Sequence, residues 1–103
     1  MKVIETAATG VVNEETIFHF SQKDQYVEAH YKGGKIRSGS LIGILNKDKL
    51  EFCYCQIQTD GTMDHGSSNS ILSLHSNGKK RLVEHFKWGS RPGETGTNVF
   101  EEV

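Results

Sequence analysis

In Arg81-Leu82-Val83-Glu84-His85-Phe86-Lys87-Trp88, polar and apolar residues alternate. An extended segment therefore puts Leu82, Phe86 and Trp88 on one face and Arg81, His85 and Lys87 on the other. Glu84 breaks the pattern by sharing the apolar face. A carboxylate removed from water without a partner carries a heavy desolvation penalty, so this position calls for a companion group. Arg37 falls on the same side of its own segment as Leu41 and Leu45, where it can offer a two-pronged contact. Tyr54 and Gln56 complete the polar patch, with Trp88 beside it. Convergent polar groups in an apolar cup are the makings of a small-molecule pocket, and in a cavity Glu84 also has the chemistry of a general acid or base. The same residues fit an internal salt bridge that fixes strand register, or a Glu84 near enough to the strand end to reach solvent. The candidate ligand-binding residues are thus Arg37, Tyr54, Gln56, Glu84 and Trp88; no catalytic residue is assigned.

Other reactive groups offer less. His19, His30, His65, His75 and His85, with Cys53 and Cys55, show none of the C-x2-4-C or H-x3-5-H spacings of structural zinc sites. No metal and no cofactor are expected. Cys53 and Cys55, two residues apart on one strand, point the same way and are poorly placed to bridge each other, so they read as packed free thiols. Ser40, in Gly39-Ser40-Leu41-Ile42-Gly43, has Ser38 where a nucleophile elbow needs glycine. The longest polar loop, Gly89 to Gly96, and the small-residue stretch 62–70 are candidates to rim one end of the fold. Met63 in that stretch reads as a gap filler.

What positions these residues is a succession of short extended runs. Turn-forming clusters recur about every ten residues, at 21–24, 32–34, 46–49, 59–62, 76–79 and 89–96, and the runs between them are rich in β-branched and aromatic residues. Eight strands are predicted, over 3–11, 16–20, 25–31, 35–45, 50–58, 63–74, 81–88 and 97–103. No window carries the i, i+3, i+4, i+7 spacing of an amphipathic helix. Connections this short pair sequential neighbours antiparallel. Asp60-Gly61 and Asn77-Gly78 supply the positive φ of two-residue hairpins. Gly39 and Gly43 mark the expected site of strongest curvature. The fold class is all-β, a single small antiparallel up-and-down β-barrel of about eight strands; the alternative is a β-sandwich, whose edges would need other protection.

Composition sets the bounds. The 103 residues suit one domain over 1–103, with one modest core. Apolar residues are only 35% of the chain, so five Phe, three Tyr and one Trp must supply much of the buried area. Twelve basic against thirteen acidic residues leave a formal charge of −1, which gives no footprint for nucleic acid or an anionic membrane. The first residues lack the apolar run of a secretory signal, no stretch is long enough to span a bilayer, and there is no N-x-S/T acceptor. The expected location is cytoplasmic, where thiols stay reduced.

The string Gly34-Lys35-Ile36-Arg37-x-Gly39-x-Leu41-Ile42-Gly43, then Asp60-Gly61 with Gly66 and Ser70, then Gly78-Lys79-x-Arg81-Leu82-x-Glu84 with Trp88, resembles a family of small bacterial proteins. Its members are often labelled N-acetylglutamate synthase, and the likeness runs over nearly the whole chain from about residue 10. The resemblance implies a lipocalin-like or avidin-like small β-barrel and no particular activity. Acyl transfer from acetyl-CoA calls for a pyrophosphate-cradling loop at a helix N-terminus. The nearest match here, Gln58-x-x-Gly61-x-Met63, places methionine where a small residue belongs and lies in a hairpin. An eight-stranded barrel is just wide enough inside for side chains or one small ligand. The expected function is binding of a small, partly apolar molecule, or self-association as a homodimer through outward Ile57, Ile71 or Val83; the alternative is an enzyme that uses Glu84.

Overall fold

The computed structural model describes residues 1–6, 10–74 and 77–102, and these form one closed antiparallel barrel whose strands follow in chain order. The strands are β1 Lys2–Glu5, β2 Ile17–Lys23, β3 Tyr26–Gly33, β4 Ile36–Asn46, β5 Lys49–Gln58, β6 Met63–Leu74, β7 Lys80–Trp88 and β8 Thr95–Glu101. Closure excludes the sandwich: β8 meets β1 with Lys2 opposite Glu101 and Val3 opposite Phe100. The seam between β1 and β2 is short. It consists of Lys2 opposite Ile17 and a reciprocal backbone pair between Met1 and Phe18, at 2.7 and 2.8 Å.

Strict alternation builds the wall. In β5, Leu50, Phe52, Tyr54 and Gln56 point inward and are buried, while Glu51, Cys53, Cys55 and Ile57 point out. Both cysteines are therefore free and exposed, not packed. They lie on the outer face because the inward positions of β5 are taken by its large residues. Rings fill the interior: Phe18 stacks on Tyr31 at 4.3 Å, Phe100 meets Phe18 edge-on, and Trp88 touches Tyr54 and Phe86 at 5.6 Å each. Two of the rings need glycine on the neighbouring strand. Tyr31 lies opposite Gly39 and Tyr54 opposite Gly66, and a Cβ at either glycine would come within 2.4 Å of the tyrosine. The pairs are matched in volume as close packing requires.

The connections are tighter in places than the sequence suggests. Two-residue turns occur at 24–25, 34–35 and 47–48, with positive φ at Asp24, Gly34 and Lys47. Asp60-Gly61 and Asn77-Gly78 supply positive φ as expected, but within connections of four and five residues. In each the Asp or Asn side chain accepts the backbone N–H two residues on, an Asx turn that stabilises the longer loop.

Two departures matter for the site. The first strand stops at Glu5, so Val11 and Val12 belong to no strand; both are buried over the barrel end where the β3–β4, β5–β6 and β7–β8 turns also lie. A bulge in β4 is the second. Ile36 pairs with Gln58 but Ser38 with Ile57, so the ladder accommodates one extra residue, Arg37. Inward parity flips across it. Ile36 and Leu41, five apart, both face the core at 2% and 3% exposure, and Arg37 is turned out to solvent.

Candidate functional site

Glu84 sits midway along β7, between Ser70 on β6 and Asn98 on β8, with its side chain inside the barrel at 5% exposure. Its partners are neutral. The Ser68 hydroxyl donates to Oε2 at 2.5 Å and Asn98 Nδ2 donates to Oε1 at 3.1 Å. Arg37, expected to neutralise it, is outside the wall because of the bulge. Burial pushes the Glu84 pKa up, only partly opposed by those two hydrogen bonds and the nearby His85. Burial thus holds the proton on Glu84 to higher pH than on a carboxyl in water.

Beside Glu84 lies a cavity of about 30 Å³, bounded by Tyr31, Tyr54, Gln56, Trp88 and Asn98 and covered by Gly10, Val11 and Val12. That is room for a water or two. Tyr54 is one of the lining residues; its hydroxyl, which lies against Gly66, is buried without a hydrogen-bond partner, and so is Ser70 Oγ. Burial raises both the Tyr31 and Tyr54 hydroxyl pKa values, reinforced by the negative charge of Glu84, so both tyrosines remain donors. The covering segment is held by threonines. The Thr6 hydroxyl lies 2.8 Å from the Val12 carbonyl and 3.1 Å from Asn98 Oδ1, and Thr16, fully buried, donates to the Gly33 carbonyl at 3.1 Å.

A second polar chain joins the cavity wall to the rim. Tyr31 Oη donates to Gln56 Oε1 at 2.8 Å, and Gln56 Nε2 donates to Asp64 Oδ2 at 3.3 Å, where Gln58 Nε2 also donates at 2.8 Å. Arg91, from the loop after β7, pairs with Asp64 Oδ1 at 2.9 Å and lays its guanidinium 4.4 Å over the Trp88 ring. Asp64 is buried, so the ion pair clamps the rim loop to the barrel end. The polar loop 89–96 does overhang this end, as its composition suggests.

Of the five expected site residues, Tyr54, Gln56, Glu84 and Trp88 converge on one cavity and Arg37 does not. Sequence reasoning missed Tyr31, Asp64, Ser68, Arg91 and Asn98. For β6 the signal was present: small residues at 66, 68 and 70 share parity with Asp64, which marks that face as the one turned to the rings. His19, His30, His65 and His85 are exposed on the outside; His75 lies outside the described residues. Among the described residues no three His, Cys, Asp or Glu side chains gather as a metal site would require. Ile57 and Ile71 face outward at 37% and 41% exposure and Val83 is half-buried opposite Ile71. No helix among the described residues is long and apolar enough to cross a membrane.

Compared with known proteins, the chain matches a family model described as Avidin-like protein over residues 1–103. No curated protein and no solved structure matches it.

Proposed function

Because this chain belongs to the avidin-like family over its whole length, we propose that residues 1–103 act as one domain that binds a small, partly apolar molecule inside the barrel, at the end closed by Val11 and Val12. The observation that carries this reading is that Tyr54, a residue lining the cavity, holds a buried hydroxyl with no hydrogen-bond partner. An unsatisfied buried hydroxyl costs about 1–3 kcal/mol, and a ligand carbonyl or similar acceptor recovers it. The ligand's polar edge meets Tyr54, Glu84 and Asn98, and its apolar body lies against Trp88 and Phe86. The cavity as it stands admits only water, so binding displaces Val11 and Val12. They can move without breaking any strand pairing, since they belong to none. A cytoplasmic setting accords with two exposed free thiols, and the outward Ile71 and Val83 accord with self-association.

One observation favours a second reading, general acid or base catalysis: the upward push on the Glu84 pKa beside a cavity. A single set of variants separates the two. Native mass spectrometry of protein purified from cells without unfolding, and thermal shifts with a panel of small heterocycles, are expected to reveal a bound mass or a stabilising compound. Tyr54→Phe weakens that response in either reading. In the binding reading, Glu84→Gln alters affinity and no turnover of the compound is seen. Turnover abolished by Glu84→Gln in a folded protein replaces binding with catalysis, and the absence of any response in the wild-type protein refutes both.

A further inference from the structure

Cys53 and Cys55 stand next to each other on the outer face of β5, both free and both exposed. The strand beneath them is fixed on both edges. On the β4 side Ile42 lies opposite Cys53 and Ser40 opposite Cys55; on the β6 side Ser67 lies opposite Cys53 and His65 opposite Cys55, with no irregularity in either ladder at these positions. Between the thiols, Tyr54 points inward and is buried. Two residues of strand advance about 6.8 Å, so the two side chains leave the wall parallel and that far apart at their bases. A disulfide between them needs Cβ atoms at about 3.5–4.5 Å, which this spacing does not give. Two sulfurs held in a line by one metal ion need only about 4.6 Å between them, at about 2.3 Å per metal–sulfur bond. Each sulfur then leans about 1 Å toward the other along the strand, within the range of its ordinary rotamers.

The surroundings choose the ion. Thiolates select soft metals, with monovalent copper, zinc and iron–sulfur clusters foremost. Zinc in structural sites takes four ligands, and iron–sulfur clusters take four cysteines. Here the set stops at two. His65 is opposite Cys55, but its ring lies over Gly89 on the β7 side, where a Cβ on that glycine would come within 2.6 Å of Nδ1. It is thus turned away from the thiols, and among the described residues no third His, Cys, Asp or Glu joins them. Monovalent copper, a soft closed-shell ion, is satisfied by two sulfurs in a line. The short side chains of Ser40 and Ser67 leave the space above the sulfurs open. Exposed Ile42 beside Cys53 and Ile57 beyond Cys55 give that space an apolar border, which suits a weakly hydrated ion and offers nothing to a hard one.

We propose that Cys53 and Cys55 together bind one monovalent copper ion on the outside of the barrel. Binding forms two copper–sulfur bonds and breaks the two S–H bonds, whose protons pass to water. The copper stays monovalent and neither sulfur is oxidised. The site is on the opposite side of the wall from the cavity around Glu84 and does not rest on the ligand reading.

The test uses the full chain, reduced and kept free of oxygen, with monovalent copper supplied as its bicinchoninate complex, whose colour fades as the protein takes the ion. Fading is expected to saturate at one ion per chain, and bound copper is expected to slow alkylation of both thiols by iodoacetamide at least 10-fold. Cys53→Ser and Cys55→Ser are each expected to weaken uptake at least 100-fold while circular dichroism stays unchanged. Zinc, titrated against its own competing chelator, is expected to bind the wild-type chain at least 100-fold more weakly than copper. Uptake that neither substitution weakens, saturation at one ion per two chains, zinc bound as tightly as copper, or alkylation at the metal-free rate with copper present overturns the proposal. The alkylation measurement reads the wild-type protein and decides it whether or not a serine variant folds.

Discussion

Tyr31 and Tyr54 line one cavity from neighbouring positions, yet losing the hydroxyl should move stability in opposite directions. Tyr31 Oη donates to Gln56 Oε1 at 2.8 Å, inside a barrel where Gln56 is 5% exposed. Tyr31→Phe removes that bond and leaves a buried acceptor short of a donor, a loss of about 1–3 kcal/mol. Tyr54 Oη has no partner to lose. Its removal relieves an unsatisfied buried group, and the adjoining 30 Å³ cavity lets water offset part of that cost already. The expected gain is up to about 1 kcal/mol. The two variants, identical in chemistry, should therefore differ by about 2 kcal/mol. In a domain of this size that separates their Tm values by roughly 8–16 °C, at 4–8 °C per kcal/mol. Urea titrations followed by the fluorescence of Trp88, the single tryptophan, give the midpoints, with unchanged slopes showing that the unfolded state is not altered. The protein is first unfolded and refolded to strip any ligand. If Tyr54→Phe loses as much as Tyr31→Phe, the Tyr54 hydroxyl is paired in solution and the argument for an open acceptor position fails.

Three further outcomes follow from the same geometry. Glu84 keeps its proton in the folded state to higher pH than in the unfolded chain, so stability falls as pH rises from its ordinary value through the raised one and then levels off. Glu84→Gln should remove this slope from urea midpoints taken between about pH 4 and about pH 8, and identical slopes in both proteins would contradict it. Arg91→Ala leaves Asp64 buried with only its glutamine donors, and because Arg91 is partly exposed the loss should be about 1–2 kcal/mol, below the 3–5 of a fully buried pair. A double-mutant cycle with Asp64→Asn should return most of it. Gly39→Ala drives a methyl to 2.3 Å from the Tyr31 ring, and thermal denaturation should show a loss of about 1–3 kcal/mol, whereas in a chain already carrying Tyr31→Leu the same glycine substitution should cost markedly less.

The up-and-down order was readable because its signals are local: alternation within a run and turn residues between runs decide that neighbours pair, whereas closure over the sandwich rests on the pairing of β8 with β1. Glu84 was readable for the same reason, as the one carboxylate on a clean apolar face. Arg37 was misplaced because face assignment by counting assumes an unbroken period of two, and a single extra residue between Ile36 and Ser38 reverses it. Val11 reads as the last residue of the first strand, but with Val12 it covers the barrel, which is a tertiary fact with no period to betray it. Asp64 and Arg91 meet across 27 positions and Ser68 and Glu84 across 16. Such pairs depend on register between strands, which one sequence leaves open until the turns are fixed.

Seven of the eight strand contacts join elements adjacent along the chain, and only β1 with β8 links the two extremities. Assembly can therefore proceed hairpin upon hairpin, each new strand laid on a template already in place, so that little loop entropy is lost at any step. The ring shuts last. Rapid mixing should then show the earliest protection in the long central strands β4, β5 and β6, and the slowest at the brief junction where the first strand is sewn to its neighbours.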